Sequence, residues 1–223
     1  ETNVMGTVNI CEAVRLNPCV KSFLNVTTDK VDKNNEWEWG YRENEPLDGY
    51  DPYSNSKSCS ELVTHSYINS FYGDMEVAVS TARAGNVIGG GDFANDRIIP
   101  DCIRALESNK PIEIRSPKAI RPWQHVLEPL SGYMLLASKM WNEPTEYCEG
   151  WNFGPRVENI ISVWEVGTKI LENYGKGELK DLSDSNALHE AELLMLDISK
   201  AKFRLGWEPR MDIEQCIQLV IDW

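Results

Sequence analysis

The run Phe23-Leu24-Asn25-Val26-Thr27-Thr28-Asp29-Lys30 decides how the chain is read. Its apolar first half has the pattern of a buried strand. Its polar tail then stands at the carboxyl end of that strand, where open α/β sheets place their ligands. A second stretch, Tyr53-Ser54-Asn55-Ser56-Lys57, opens a helix after Asp51-Pro52. Residues four apart share a helix face, so Tyr53 and Lys57 point the same way. A tyrosine, with a reference pKa of about 10, works as a base near neutrality only if a cation lowers that value. Lys57, one turn on, is such a cation. Either motif alone is commonplace: Tyr-x-x-x-Lys is usually a structural helix pair and Thr-Asp-Lys a turn. Their order, one after a strand and the other at a helix start, is the informative feature.

Outward from these stretches the chain alternates helices and strands. Thr2 is a plausible N-cap for a helix to Leu16, stopped by Pro18. Gly6 inside that helix costs about 1 kcal/mol relative to Ala, and a closely packed second helix would account for it. A strand over 20–27 is followed by a loop over 32–52, in which Trp37 and Trp39 suggest packing rather than disorder. The Tyr53 helix runs to about Tyr72 and ends at Gly73. Val77–Ala82 is a buried strand. Further helices are expected from Pro100 to Ser108, from Leu127 to Trp141, from the Ser162 cap to Gly175, and over 199–205 and 212–223. Further strands are expected at 112–115, 150–154 and 193–196. Such alternation implies a parallel sheet. Gly89-Gly90-Gly91 is not the dinucleotide fingerprint, because Asp92-Phe93-Ala94 follows it and not a helix start.

Composition sets the outer bounds. The chain has 223 residues, 42% hydrophobic and 26% charged, which suits a globular protein with a sizeable core. A net charge of −13 argues against nucleic acid as a partner. It also requires a local cationic pocket for any anionic substrate. No apolar run approaches the roughly 20 residues that span a bilayer. Six scattered cysteines, with no Cys-x-x-Cys, suggest reduced thiols in a cytoplasmic protein, and neither they nor the three histidines suggest a metal site.

The motifs together resemble the extended short-chain dehydrogenase/reductase family, in particular its nucleotide-sugar 4,6-dehydratases. Matching segments include Trp39-Gly40-Tyr41-Arg42-Glu43-Asn44, Gly85-Asn86-Val87-Ile88-Gly89-Gly90-Gly91-Asp92, Asp96-Arg97-Ile98-Ile99-Pro100-Asp101, Arg121-Pro122-Trp123-Gln124-His125-Val126 and Trp151-Asn152-Phe153-Gly154-Pro155. Most of these dehydratases carry Thr-Asp-Glu at the strand tip. The branch that acts on CDP-glucose carries Thr-Asp-Lys, as here.

The resemblance implies an α/β fold: the C-terminal part of a Rossmann-like parallel sheet plus a small α/β substrate-binding domain. Residues 1–88, with a return segment near 127–155, would form the catalytic half of the dinucleotide domain. Residues 89–126 and 156–223 would bind the nucleotide-sugar. The family's Gly-rich first turn has no counterpart in these 223 residues, so this stretch alone is expected neither to hold NAD nor to complete the sheet. In the family, NAD is the cofactor and the substrate is a nucleotide-hexose, with CDP-glucose the expected one. Thr28, Asp29, Lys30, Tyr53 and Lys57 would be catalytic, with Tyr53 and Lys57 also meeting the cofactor. Asn86, Arg97 and Arg121 would bind substrate, the arginines on its diphosphate. The helices at 2–16 and 53–72 would pair with their copies in a homodimer, offering Val4, Val8, Cys11, Leu62 and Tyr67. An epimerase, a dehydratase for another nucleotide and a catalytically silent binding fragment are the alternatives; Asp29-Lys30 favours dehydration. Arg83 would be structural, and Asp32 departs from the aromatic residue that relatives often place there.

Overall fold

The computed structural model describes residues 1–183 and 193–223. In chain order the regular elements begin with α1 (Thr2–Leu16), β1 (Ser22–Val26), α2 (Pro52–Tyr67), β2 (Ala78–Ala84) and β3 (Val87–Ile88). Then come α3 (Ile98–Glu107), β4 (Ile112–Ile114), β5 (Ile120–Pro122), β6 (Gln124–His125), α4 (Leu127–Asn142) and β7 (Gly150–Phe153). The chain continues with β8 (Ile160–Ser162), α5 (Val163–Tyr174), β9 (Leu179–Asp181) and α6 (Ile213–Asp222). They form two compact units.

The first unit comprises Glu1–Gly85, Pro129–Gly154 and Leu196–Glu208. Its sheet has the order β1-β2-β7, all parallel. Side chains alternate across a strand, and β2 shows it. Val79 faces a cluster with Cys11, Val14 and Tyr72, while Ala78 and Ala82 face one with Leu136, Met140, Trp151 and Phe153. Helices therefore cover both faces, which explains why β2 is buried almost end to end, its polar Ser80, Thr81 and Arg83 included. The helix at 2–16 forms, but its N-cap is Glu1 without a side-chain bond, not Thr2. Among the described residues nothing outside the helix comes within 4 Å of where a Gly6 Cβ would stand. Near Gly6 the contact between α1 and α2 is polar, through Asn3 Nδ2 donating to Ser56 Oγ (2.9 Å) and Thr7 with Ser60 (2.6 Å), while Cys11, Val14 and Tyr67 share an apolar cluster further along.

The loop after β1 is a closed excursion. Lys33 N donates to Pro46 O (2.8 Å) and Asp48 N to Val31 O (3.0 Å), so its two ends meet. Tyr41 anchors it, 1% exposed, with Trp37 stacked on its ring at 5.4 Å. Trp39 does not pack; it is 63% exposed. Residues 193–196 make no strand. Leu196 forms a single bridge to Tyr41, and Leu196–Glu208, expected in the second domain, packs with the first unit. After them the helical segment 199–205 ends in a π-helical turn, Ala201–Leu205.

The second unit comprises Asn86–Glu128, Pro155–Met195 and Pro209–Trp223. Its core gathers Ile99, Cys102, Leu106, Ile112, Ile114, Val166, Ile170 and Ile217 from α3, β4, α5 and α6. Three small ladders edge it: β3 with β6 and β4 with β9, both parallel, and β5 with β8, antiparallel. The helix α5 starts at a capping box between Ser162 and Glu165 and stops at Gly175, whose φ is +82°.

Candidate active site

Four of the five catalytic candidates meet at the β1 tip in the first unit. Thr28, Asp29 and Lys30 leave the strand in a short 3₁₀ turn, Asp29–Val31. Asp29 is completely buried. Its Oδ1 accepts from the Thr28 hydroxyl (3.0 Å) and from Lys30 Nζ (2.9 Å). Its Oδ2 is buried with no hydrogen-bond partner. The Lys30 side chain is 40% exposed, so burial at the tip holds for Asp29 and not for the lysine head.

The helix α2 brings the second motif to the same tip. Asp51 accepts hydrogen bonds from the backbone N–H groups of Tyr53 and Ser54, and Pro52 fills the first turn, fixing where the helix begins. Lys57 then reaches the last residue of β1, donating to Val26 O at 3.4 Å. Ser58, the next residue, donates to Val31 O at 2.7 Å. Tyr53 is 53% exposed, and its hydroxyl makes no hydrogen bond among the described residues. The helix start and the strand tip are thus tied by two bonds, with the tyrosine hydroxyl open.

Below the tip lies a buried charge network. Arg83 on β2 is 2% exposed. Its Nε and Nη2 donate to Glu61 (2.8 and 2.6 Å), and Nη1 meets Asp32 Oδ1 at 3.2 Å. Glu61 also accepts from the Thr27 hydroxyl at 2.5 Å. One guanidinium therefore ties β2 to α2 and to the loop start, and Glu61 carries the tie on to Thr27, just beyond β1. Burial pushes the Asp32 carboxyl up to about 7, against the lowering effect of Arg83, and Glu61, Glu45 and Asp29 add like-charge repulsion. Two carboxylates occupy the Arg83 guanidinium, which fits the structural alternative for this residue. Asp32, where the resemblance leads to an aromatic residue, supplies a second carboxylate to Arg83. Glu61 was not anticipated, although it stands four residues after Lys57 and so on the same face.

The three substrate-binding candidates lie in the second unit. Asn86 has φ +41° and a buried Oδ1 without a partner. Arg97 is exposed and paired with Asp92 at 2.9 Å. Arg121 is 7% exposed on β5, with Nη1 donating to Ile120 O at 2.9 Å. Among the described residues no group of His, Cys, Asp or Glu could hold a metal ion. No helix there is long and apolar enough to cross a membrane.

Comparison with known proteins gives a consistent result. The family model described as GDP-mannose 4,6 dehydratase matches residues 1–220. A CDP-glucose 4,6-dehydratase of Salmonella typhimurium is 48% identical over all of this chain, which spans 63% of that relative's length. Among solved structures, a dTDP-glucose 4,6-dehydratase of Bacillus anthracis in complex with NAD superposes with a TM-score of 0.83 at 24% identity, covering 100% of this chain and 67% of that one. A UDP-glucuronic acid 4-epimerase of Bacillus cereus gives 0.82 at 19% identity, covering 99% and 66%. These two likenesses carry the fold: an α/β architecture with a Rossmann-like parallel sheet.

Proposed function

The chain belongs to the GDP-mannose 4,6 dehydratase family, and from that premise we propose that it carries the catalytic residues of an NAD-dependent nucleotide-hexose 4,6-dehydratase acting on CDP-glucose. The observation that carries the reading is the Asp29–Lys30 pair at the β1 tip, with Lys57 bound to the same tip. The CDP-glucose dehydratase relative, 48% identical, supports the choice of nucleotide.

The residues present fit the cofactor. The Lys57 ammonium has three donors, and the bond of 3.4 Å to Val26 O uses one, leaving others for the nicotinamide ribose. Tyr53, one turn back on the same helix, is 53% exposed. When bound, NAD supplies a reversible hydride acceptor. Tyr53 takes the proton from the sugar O4, helped by the Lys57 cation, while Thr28 hydrogen-bonds O4. The resulting ketone at C4 acidifies the C5 hydrogen. Lys30 removes that proton, and Asp29 gives its own to the departing C6 hydroxyl, which leaves as water. Asn86, Arg97 and Arg121 bind the nucleotide-sugar, the arginines on its diphosphate.

Two statements about setting belong to the same reading. Six free thiols suit a reducing, cytoplasmic compartment. The α1–α2 pair offers a homodimer face through Leu62, 53% exposed, with Val4, Val8 and Tyr67 partly so; Cys11 drops out because it is fully buried in the core. Light scattering of the full-length protein should give a dimer, and a monomer at working concentrations sinks that statement.

The reaction is tested with the full-length protein, NAD and CDP-glucose in deuterated water. Tyr53→Phe should abolish oxidation at C4. Lys30→Met should keep that oxidation yet lose both C5 hydrogen exchange and dehydration. If exchange and dehydration continue at near wild-type rates in Lys30→Met, the lysine is not the base.

A further inference from the structure

We propose that Gly85 positions the Asp29 carboxyl, and that the missing side chain at 85 is what lets Oδ2 stay free of protein partners. β2 ends at Ala84, and its neighbour β1 runs parallel in a register that sets Val26 beside Ala82. The residue after β2 therefore passes alongside the turn that follows β1. A Cβ added to Gly85 would lie 1.8 Å from Asp29 Oδ2, 2.3 Å from Cγ and 2.9 Å from Cβ. Real atoms do not approach so closely. The need for glycine here is one of space, since no left-handed backbone is present at 85.

The two oxygens of Asp29 are consequently unlike. Oδ1 is anchored by Thr28 and Lys30. Oδ2 is buried over the Gly85 α-carbon without a partner. A buried polar oxygen left unsatisfied costs stability, so the arrangement is explained if a bound molecule completes it. The inference rests on the acid role of Asp29 proposed above. Oδ2 is then the oxygen that carries the proton: its O–H bond breaks, the proton joins the C6 hydroxyl, the C6–O bond breaks and water departs. Any side chain at 85 forces the carboxyl to turn. Either Oδ2 leaves that place or Oδ1 loses Lys30.

The test uses the full-length protein in two measurements. In single turnovers with NAD and CDP-glucose, Gly85→Ala should form reduced nicotinamide at near the wild-type rate, followed by its near-ultraviolet absorbance. Its decay should slow by roughly tenfold or more, because elimination must precede hydride return. An unchanged decay, or formation and decay slowed alike, overturns the proposal. The second measurement needs no activity. Thermal unfolding of Gly85→Ala, Asp29→Ala and the double variant forms a cycle. The substitution at 85 should lower the midpoint much more with Asp29 present than in the Asp29→Ala background. A double variant that folds where Gly85→Ala does not gives the same answer. Equal losses in both backgrounds overturn it. Asp29→Asn separates the two readings. Elimination at the wild-type rate would sink the acid role itself, and the unfolding cycle alone would then decide whether Gly85 positions the carboxyl.

Discussion

Asp32 is the residue whose local setting most nearly contradicts its chemistry. It is a carboxylate 2% exposed, beside one guanidinium and within reach of Glu61, Glu45 and Asp29, with Glu43 also near Arg83. Its folded-state pKa of about 7 lies above the ordinary carboxylate value. A raised carboxyl pKa means that the folded chain keeps a proton the unfolded chain releases. Stability from this group is therefore present at acid pH and is lost as pH rises from about 4 to about 7, flat thereafter. Asp32→Asn removes the titration. Its stability relative to wild type, from urea unfolding, should rise across that window, and a difference independent of pH would refute the assignment. Only part of this was legible from sequence. Asp32 stood out because an aromatic residue was expected, and Arg83 could be recognised as structural. That Asp32 and Glu61 share Arg83 depends on residues 51 and 22 positions away from it converging on one guanidinium, which no local pattern encodes.

At the scale of elements, what the chain announces is what has a period or a cap. α2 was readable from Asp51-Pro52, α5 from Ser162 and Gly175, and β1 and β2 from short runs rich in apolar and small residues, Phe23–Val26 and Val77–Ala82. β3, β5, β6, β8 and β9 are two or three residues long, too short for a period to appear, and were not foreseen. The run Leu193-Leu194-Met195-Leu196 had the composition of a strand, but its last residue makes one bridge to Tyr41 and no ladder. Around the site the elements are joined chiefly by Arg83, which binds α2 through Glu61 and the loop after β1 through Asp32. Removing one member of a buried ion network leaves the others uncompensated, typically at about 3–5 kcal/mol. Arg83→Met should lose stability on that scale in urea unfolding. A loss below about 1 kcal/mol would mean that the network does not hold these elements together.

For the molecule as a whole, the alternation of helix and strand indicated the α/β class, whereas the course of the chain between its two units was less legible. Their bounds depend on where segments such as Leu196–Glu208 return, and return is a matter of long-range contact. Each unit nevertheless has its own core. Trp151, Phe153, Leu136 and Met140 belong to one cluster, and Ile112, Ile114, Ile170 and Ile217 to another, with no residue shared. Cutting a fully buried isoleucine to alanine typically costs about 2–5 kcal/mol. Where stability resides in separate cores, that loss appears first as local opening of the unit that was cut. Ile217 is completely buried in the second unit. In Ile217→Ala, amide hydrogen exchange should accelerate in α3, α5 and α6 while β1 and β2 keep their protection. Trp151→Ala, in the first unit, should give the reverse pattern. Equal acceleration across both sets of elements in either variant would show that the two cores open as one cooperative body.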